Sequence, residues 1–386
     1  TRLNQAGAQP RHFFLLLRIP TLPLSKSPLS KSPLSKQPRF DALRAFLPTL
    51  LLGLLGGGLA YWVGLPLPWL LGAMLATTLP SLAGMRLPGP GSARKGVLAV
   101  IGVMLGSAFS PGMAGDVSAW TISLGMMLCA TAVMWAFSFW FAHRVAGYSV
   151  VTSLYAGIPG GVSAITAMAM ESGADLRIVG LTHATRILVL LLAIPPLLDV
   201  LGHVELGMRP ASAASWLWFP SLFDIAWLLG SGVIGIGLGH LVRMPNAFLF
   251  GPALVSAALH LTGVTHAVVP PSVLAIAQVI IGVSVGIRFG GTPLAAVAYN
   301  LKMAILQAAA LMLVAIAAAW SIHVVTGYSM AAALLANMPG GAPELSLVAL
   351  SLGIDPAFVT SHHLLRITVL MLSLPLILRA FRRLLA

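Results

Sequence analysis

Long apolar stretches, separated by short polar turns, follow one another along most of the chain. They lie at 43–63, 68–84, 95–110, 118–142, 148–171 and 176–200, and again at 216–241, 247–263, 271–289, 300–324, 328–350 and 356–379. Several reach the roughly 20 residues that a membrane-spanning helix needs. Their apolar positions are continuous and do not alternate, which excludes a transmembrane barrel. The pattern predicts an all-α polytopic membrane protein.

Two of these stretches carry the same motif, with a constant offset of 180 residues and no gap. The shared residues of the first copy are Gly147, Tyr148, Ser149, Pro159, Gly160, Gly161, Gly173, Asp175, His183, Arg186 and Pro195. Earlier parts of the halves also match, since Gly102 recurs as Gly282 at the same offset and Gly72 as Gly251 at an offset of 179. The chain is therefore predicted to contain two homologous repeats of about 170 residues.

The duplication divides the chain into a tail, two membrane repeats and a linker. We place the tail at 1–40, the first repeat at 43–201, the linker at 202–215 and the second repeat at 216–386. The tail contains LSKSPLSKSPLSKQP, a low-complexity repeat that cannot bury a core, and it is predicted to be disordered.

Composition supports the membrane assignment and limits the partners. Hydrophobic residues make up 58% of the chain and charged residues 8%, whereas a soluble domain has about 25% charged residues. The net charge of +13 would suggest nucleic acid in a soluble protein. Here the basic residues lie mostly in the tail and the loops, so membrane topology explains them and no nucleic-acid partner is expected. A single cysteine, Cys129, excludes an internal disulfide and a multi-cysteine metal site.

The basic loops alternate differently in the two halves. In the first half they come before segment one and after segments two and four, with Arg39, Arg44, Arg86, Arg94, Lys95, His143 and Arg144. In the second half they come after segments seven, nine and twelve, with Arg243, Arg288, Lys302, Arg379, Arg382 and Arg383. The positive-inside rule then predicts inverted repeats, with about ten full crossings, two broken segments and both termini in the cytoplasm. Arg209 is a mild exception.

The segments that contain Pro-Gly-Gly are the natural candidates for the broken ones. Proline removes a backbone donor and glycine favours a break. A broken helix at membrane depth is tolerated where it lines a polar cavity or is buried in protein. Transporters place such breaks at the interface of inverted repeats, around the substrate or ion. The alternative is a kink that serves packing alone. Whether these segments cross or re-enter stays open.

Glu344 lies three residues after Gly341, inside the second break. A carboxylate at that depth is costly unless it is paired or neutral, which makes Glu344 the best candidate for a proton or cation site. The alternative is a capping role at the start of the second half-helix. The first repeat has Ala164 at the matching position, with Ser163 beside it, so the two sites are expected to be asymmetric.

A histidine and an arginine share one helix face after each break, as His183 with Arg186 and His363 with Arg366. A buried arginine in a membrane helix needs a partner. Three alternatives are open: the arginines bond to the free carbonyls of the broken helices, contact an anionic solute, or form a salt bridge within the protein.

The duplicated Pro-Gly-Gly element and the D-x7-H-x2-R motif that follows it resemble the AbrB-like membrane protein family of bacteria. The resemblance covers residues 43–386. The family has been grouped with cation/proton antiporters and anion transporters, which implies inverted repeats with discontinuous helices. Its members have been labelled both as an ammonia monooxygenase and as a regulator.

Neither label finds strong support in the residues. A copper or di-iron monooxygenase needs converging histidine or carboxylate ligands, and the sequence has no Glu-x-x-His pair and no dense histidine cluster beyond His362 and His363. We therefore expect neither an enzyme nor a cofactor. A DNA-binding regulator needs a recognition domain, so an influence on gene expression would be indirect.

The function predicted from the sequence is secondary transport of a small anionic or zwitterionic solute, coupled to H⁺ or Na⁺, in the bacterial inner membrane. The alternatives are a sensor or regulatory scaffold without transport and, less favoured, a membrane monooxygenase. A homo-oligomer is left open. The predicted binding residues are Gly157, Pro159, Gly160, Gly161, Ser163, His183, Arg186, Asn337, Pro339, Gly340, Gly341, Glu344, His363 and Arg366.

Overall fold

The computed structural model describes residues 39–385 apart from 112–116, 161–164, 166–167, 171, 205–219, 245 and 291–293. The described residues form α-helices joined by turns, and none of them lies in a β-strand. The helices of the first half are α1 (Arg39–Val63), α2 (Pro68–Leu82), α3 (Ser92–Gly106), α4 (Val117–Trp140), α5 (Val150–Gly157) and α6 (Leu176–Gly202). Those of the second half are α7 (Leu222–Leu241), α8 (Ala247–Leu261), α9 (Pro271–Gly286), α10 (Leu294–Thr326), α11 (Met330–Asn337), α12 (Ala342–Leu352) and α13 (Pro356–Leu385). The predicted tail lies outside the described residues except for its last two positions, where α1 begins.

Seven of the described helices are long and apolar enough to cross a membrane. Their spanning parts are Arg44–Val63, Trp120–Val145, Leu176–Gly202, Leu222–Leu241, Pro271–Phe289, Ala298–Thr326 and Pro356–Leu374. The all-helical membrane class predicted from the apolar stretches is therefore supported. Helices α2, α3 and α8 have 15 residues each, or about 22 Å, which is shorter than the roughly 30 Å of a bilayer core.

These short helices pack closely through glycines. A side-chain carbon at Gly102 on α3 would overlap the carbonyl oxygen of Leu249 on α8. The same relation holds between Gly282 on α9 and the carbonyl oxygen of Leu70 on α2. Glycine at both positions allows backbone-to-backbone approach, as in other membrane helices. Gly282 corresponds to Gly102 at an offset of 180 residues, and Leu249 corresponds to Leu70 at an offset of 179. The glycine comes from the first half in one contact and from the second half in the other, so α3 packs on α8 as α9 packs on α2.

One end of the bundle collects basic side chains from several turns. The Lys95 ammonium lies 5.3 Å from the ring centroid of Phe248, so the starts of α3 and α8 lie together. Arg94 is within Coulombic range of Arg288, which lies in the 3-10 turn after α9. Arg288 shares a pocket with Arg177 on the first turn of α6. We call this the basic end, defined by Arg86, Arg94, Lys95, Arg177 and Arg288.

The chain from α5 to α6 enters and leaves at the basic end. The backbone N–H of Asp175 donates to Thr152 Oγ1 over 3.0 Å, and the hydroxyl groups of Tyr155 and Ser172 are 2.6 Å apart. The chain has therefore returned to the level of α5 before α6 begins. We call residues 148–175 the first hairpin.

The chain from α11 to α13 makes the same kind of hairpin from the opposite end. The rings of Tyr328, before α11, and Phe358, on the first turn of α13, stack with centroids 4.5 Å apart. A side-chain carbon at Gly202, the last residue of α6, would lie 3.1 Å from Ala331. Because α6 starts at the basic end and is 27 residues long, this second hairpin (residues 328–355) enters the bundle from the other side.

Candidate functional site

Each Pro-Gly-Gly turn follows the end of a helix, and its described residues are buried. Helix α5 ends at Gly157 and α11 ends at Asn337, and in each case the residue before proline is extended, with ψ of 124° at Ile158 and 131° at Met338. Proline disfavours helical geometry in the residue that precedes it, which explains where both helices stop. Every residue from 331 to 349 is buried, so the whole second break lies inside the protein. The break predicted at the second Pro-Gly-Gly is therefore present.

The tips of the two hairpins meet. Gly160 has a φ of 119°, a conformation that favours glycine. A side-chain carbon there would lie 3.7 Å from Ile367 and 3.9 Å from the carbonyl oxygen of Gly340. A side-chain carbon at Gly157 would lie 3.1 Å from the backbone N of Phe139, so Gly157 packs against α4. The predicted residues Gly160 and Gly340 are thus brought together, each directly after its proline, Pro159 or Pro339, whereas Gly161 and Ser163 lie outside the described residues.

Arg366 is hydrogen-bonded to the backbone of the second break. Its guanidinium donates to the carbonyl oxygens of Ala336 and of Met338, the latter over 2.8 Å, and its Nε lies 3.4 Å from Met127 Sδ. These carbonyls are left free because α11 stops there. Among the three alternatives for the arginines, bonding to free carbonyls is the one that the geometry supports for Arg366.

Arg186 makes one hydrogen bond to the first break, and two of its guanidinium nitrogens have no partner in the described residues. Its Nη2 donates to the carbonyl oxygen of Ile158 over 2.7 Å, while Nε and Nη1 are buried with no hydrogen-bond partner in the described part of the chain. The side chain is 2% exposed. Arg186 and Arg366 are within Coulombic range of each other. The two arginines, equivalent by sequence, therefore differ in how far the protein satisfies them.

The histidines show the same difference. His363 Nε2 donates to the carbonyl oxygen of Leu335 over 3.2 Å, so it helps to hold the end of α11. Both ring nitrogens of His183 are buried without a partner in the residues that the structure describes. His183 lies within Coulombic range of Arg186, on the same face of α6. The histidine and arginine of the first copy therefore keep unpaired nitrogens, whereas those of the second copy are bonded to the break.

Glu344 lies on the first turn of α12, with Gly341 as the N-cap. Its carboxylate folds back over Gly341 so closely that a side-chain carbon there would overlap Oε2. This position suits a negative charge because the helix N-terminus carries a partial positive charge. The side chain is 2% exposed, and Oε2 has no hydrogen-bond partner within the described ranges. Both the ion-site and the capping interpretation of Glu344 are compatible with this placement.

Asn337 adds a second unpaired acceptor at the same break. Its Nδ2 donates to the carbonyl oxygen of Ala333 over 2.9 Å, one turn earlier in α11. Its Oδ1 is buried without a partner in the described residues. The second break therefore presents two unpaired acceptor oxygens, and the helix after the first break presents two unpaired donor nitrogens.

Comparison with known proteins identifies the family. Residues 69–382 match the family described as "Transition state regulatory protein AbrB", which covers most of the chain and both hairpins. The chain belongs to the AbrB family. The resemblance inferred from the duplicated motif is confirmed.

Two AbrB relatives cover most of this chain. A protein of Escherichia coli (strain K12) named "Putative regulator AbrB" is 27% identical over 320 residues, which are 82% of this chain and 90% of the relative. "Uncharacterized protein YhjN" of Bacillus subtilis (strain 168) is 23% identical over 342 residues, which are 83% of this chain and 88% of the relative. These names assign a regulatory label to one relative and no activity to the other.

The AbrB chain also uses residues at the site that the motif comparison missed. They form one stripe on α4, at spacings of three or four residues: Ser123, Met127, Thr131, Met134 and Ser138 are all buried. Met127 contacts Arg366, and Ser123 Oγ lies 3.0 Å from His362 Nε2. In the sequence, this stripe could have been found from its hydroxyl side chains, which recur at helical spacing within an apolar stretch. Within the described residues of this AbrB protein, no group of three or more His, Cys, Asp or Glu side chains is placed to hold a metal ion.

Proposed function

We propose that this protein is a secondary transporter of a small anionic or zwitterionic solute, coupled to H⁺ or Na⁺, and is not an enzyme. The solute would bind where the tips of the two hairpins meet. The observation that carries the proposal is the set of unpaired polar atoms at that place: Arg186 Nε and Nη1 on one side, Glu344 Oε2 and Asn337 Oδ1 on the other.

Unpaired buried polar atoms are costly, which is why they favour a ligand. Each such group costs about 1–3 kcal/mol, and a charged group costs more. Two arginines in Coulombic range repel each other in a medium of low polarity. An anionic group next to Arg186 would satisfy its two free nitrogens and reduce this repulsion. The carboxylate or phosphate class of solute therefore fits the first half of the site.

The acceptor oxygens of the second break fit a cation. Glu344 and Asn337 offer oxygen ligands next to a helix end, and Glu344 can also take up a proton. A cation or proton there and an anion at Arg186 would each offset the cost of burying the other. This mutual offset gives a physical basis for coupled transport.

The hairpins support a transporter architecture. They enter from opposite ends, and the glycine contacts of α3 with α8 and of α9 with α2 recur with exchanged partners, which is what two inverted repeats of about 170 residues predict. With α1–α4, α6, α7–α10 and α13 as crossings, the chain would have ten full crossings and two re-entrant hairpins. The basic end would face the cytoplasm, together with both termini.

The two arginines provide a matched pair for testing the site. Purified protein is screened by thermal shift against small carboxylates, amino acids and amines at two pH values. We expect Arg366→Gln to lower stability by at least about 2 kcal/mol without any ligand, because its charged hydrogen bonds to the second break are lost. Arg186→Gln is expected to fold at nearly wild-type stability and to lose the thermal shift that a solute gives the wild type.

A solute that stabilises Arg186→Gln as strongly as the wild type would contradict this site. A solute that passes the test is then assayed for counterflow in liposomes. Binding without counterflow would favour the second candidate function, a sensor or regulatory scaffold in the membrane. That candidate is favoured by the regulatory label of the Escherichia coli relative.

A further inference from the structure

A pocket lined by two arginines and by apolar residues lies at the basic end. It is formed by the end of α2, the first turns of α6 and the 3-10 turn after α9, and it has a volume of about 210 Å³. Arg177 and Arg288 line it from opposite elements, and Gly290 completes the wall. The pocket is open enough for a small polar group to enter from the end of the bundle.

The arginines around this pocket are incompletely satisfied. Nη1 of Arg288 and Nε of Arg94 are buried with no hydrogen-bond partner in the described part of the chain. Arg288 is attracted by the carboxylate of Glu344 and repelled, more weakly, by Arg94. Arg86 belongs to the same neighbourhood, because a side-chain carbon at Gly290 would lie 3.7 Å from its Cα.

Two carboxylates of the described residues, Asp175 and Glu344, lie near this cluster. Asp175 uses its carboxylate to cap α6, where it accepts the backbone N–H groups of Arg177 and Ile178. Glu344 attracts Arg288, but it belongs to the buried second break and does not line the pocket. The pocket is therefore lined by two arginine side chains, and one buried guanidinium nitrogen of Arg288 has no partner among the described residues.

We propose that this pocket binds a phosphate group through Arg177 and Arg288, with Arg94 behind them. Guanidinium groups bind phosphate through planar, charge-assisted hydrogen bonds. The phosphate can come from the head group of an anionic phospholipid or from a soluble phosphate compound. Basic pockets between membrane helices at the cytoplasmic side are suited to the first source. The site does not depend on the transport proposal, since it shares no residue with the hairpin tips.

The test uses the full-length protein and separates the two sources. In one arm, the protein is placed in nanodiscs of phosphatidylcholine with increasing fractions of phosphatidylglycerol, and the melting temperature is followed. In the other arm, inorganic phosphate is added to protein in phosphatidylcholine alone, with sulfate-free buffer at constant ionic strength. Arg288→Gln and Arg177→Gln are compared with Arg144→Gln, which removes the same charge at an exposed position after α4.

We expect phosphatidylglycerol or phosphate to raise the wild-type melting temperature in a saturable way. Arg288→Gln should raise the half-saturating concentration roughly tenfold, and Arg144→Gln should leave it unchanged. Because Arg177 is exposed, Arg177→Gln keeps the test valid if Arg288→Gln does not fold. A response to lipid alone identifies the head group, and a response to phosphate alone identifies a soluble ligand. No response in the wild type, or an equal loss in Arg144→Gln, would overturn the proposal.

Discussion

Arg186 and Arg366 occupy matching places in the two motifs, but their bonding differs. Arg366 holds two carbonyl oxygens of the second break and a methionine sulfur, whereas Arg186 holds one carbonyl oxygen and keeps two buried donors free. His363 and His183 differ in the same direction. At the scale of single residues, the second copy is the more satisfied around its arginine, and the first copy has capacity for a ligand.

Glu344 is the residue through which ion coupling is expected to act. Glu344→Gln keeps the shape of the side chain but removes both the charge and the exchangeable proton. We expect the variant to bind solute and catalyse counterflow while losing accumulation driven by a proton or sodium gradient. Uptake into liposomes under imposed pH and sodium gradients measures this. Gradient-driven accumulation at the wild-type level would place the coupling ion elsewhere.

At the scale of secondary-structure elements, the hairpins and the short helices have related sequence requirements. Each hairpin depends on a proline that stops its first helix and on a return of the chain to its starting level. The short helices α2, α3 and α8 depend on glycine for their close contacts. Both kinds of element are specified by residues with unusual backbone properties rather than by apolar side chains.

The glycine contacts can be tested with a pair of identical substitutions. Gly102→Ala puts a methyl group against the carbonyl oxygen of Leu249, so we expect it to destabilise the protein by about 1–3 kcal/mol. Gly125 on α4 has open space around it, and Gly125→Ala should be neutral or stabilising by up to about 1 kcal/mol. Unfolding midpoints in a mild detergent compare the two. Equal effects of the two changes would show that close packing at Gly102 is not important.

Much of this architecture could be predicted from the sequence, and the limits have physical causes. The helix ends at Gly157 and Asn337 followed from proline chemistry, which acts on the neighbouring residue. The unequal bonding of Arg186 and Arg366 could not follow, because both lie in the same His-x-x-Arg motif and the distances to the backbone carbonyls decide the outcome. The stripe on α4 was missed for a similar reason, since its serines lie in an apolar stretch far from the repeated residues.

The whole molecule has one basic end, and this end predicts its orientation. Contacts place Lys95 beside Phe248, and Arg177 and Arg288 in one pocket, so basic residues that are distant in sequence share one end. Under the topology proposed above, the positive-inside rule would place this end in the cytoplasm. Helix α8 begins at the basic end and is 15 residues long. Thr262, which directly follows it, therefore lies at the other end.

Orientation is testable because the chain has one cysteine, Cys129. In a Cys129→Ser background, Arg86→Cys and Thr262→Cys each introduce a thiol at an exposed position of one end. We expect a membrane-impermeant thiol reagent to label Thr262→Cys in spheroplasts and to label Arg86→Cys only after the membrane is opened. The Cys129→Ser protein alone is the control. The reverse labelling pattern would invert the orientation proposed here.

The unequal arginines also have a consequence for how such a protein can diversify. A change at position 366 disturbs the break that its arginine holds, so we expect selection for folding to act on this position independently of any ligand. A change at position 186 alters the unfilled donors first and the scaffold second. Relatives that differ in what they recognise are therefore expected to differ around position 186, whereas position 366 should keep its arginine.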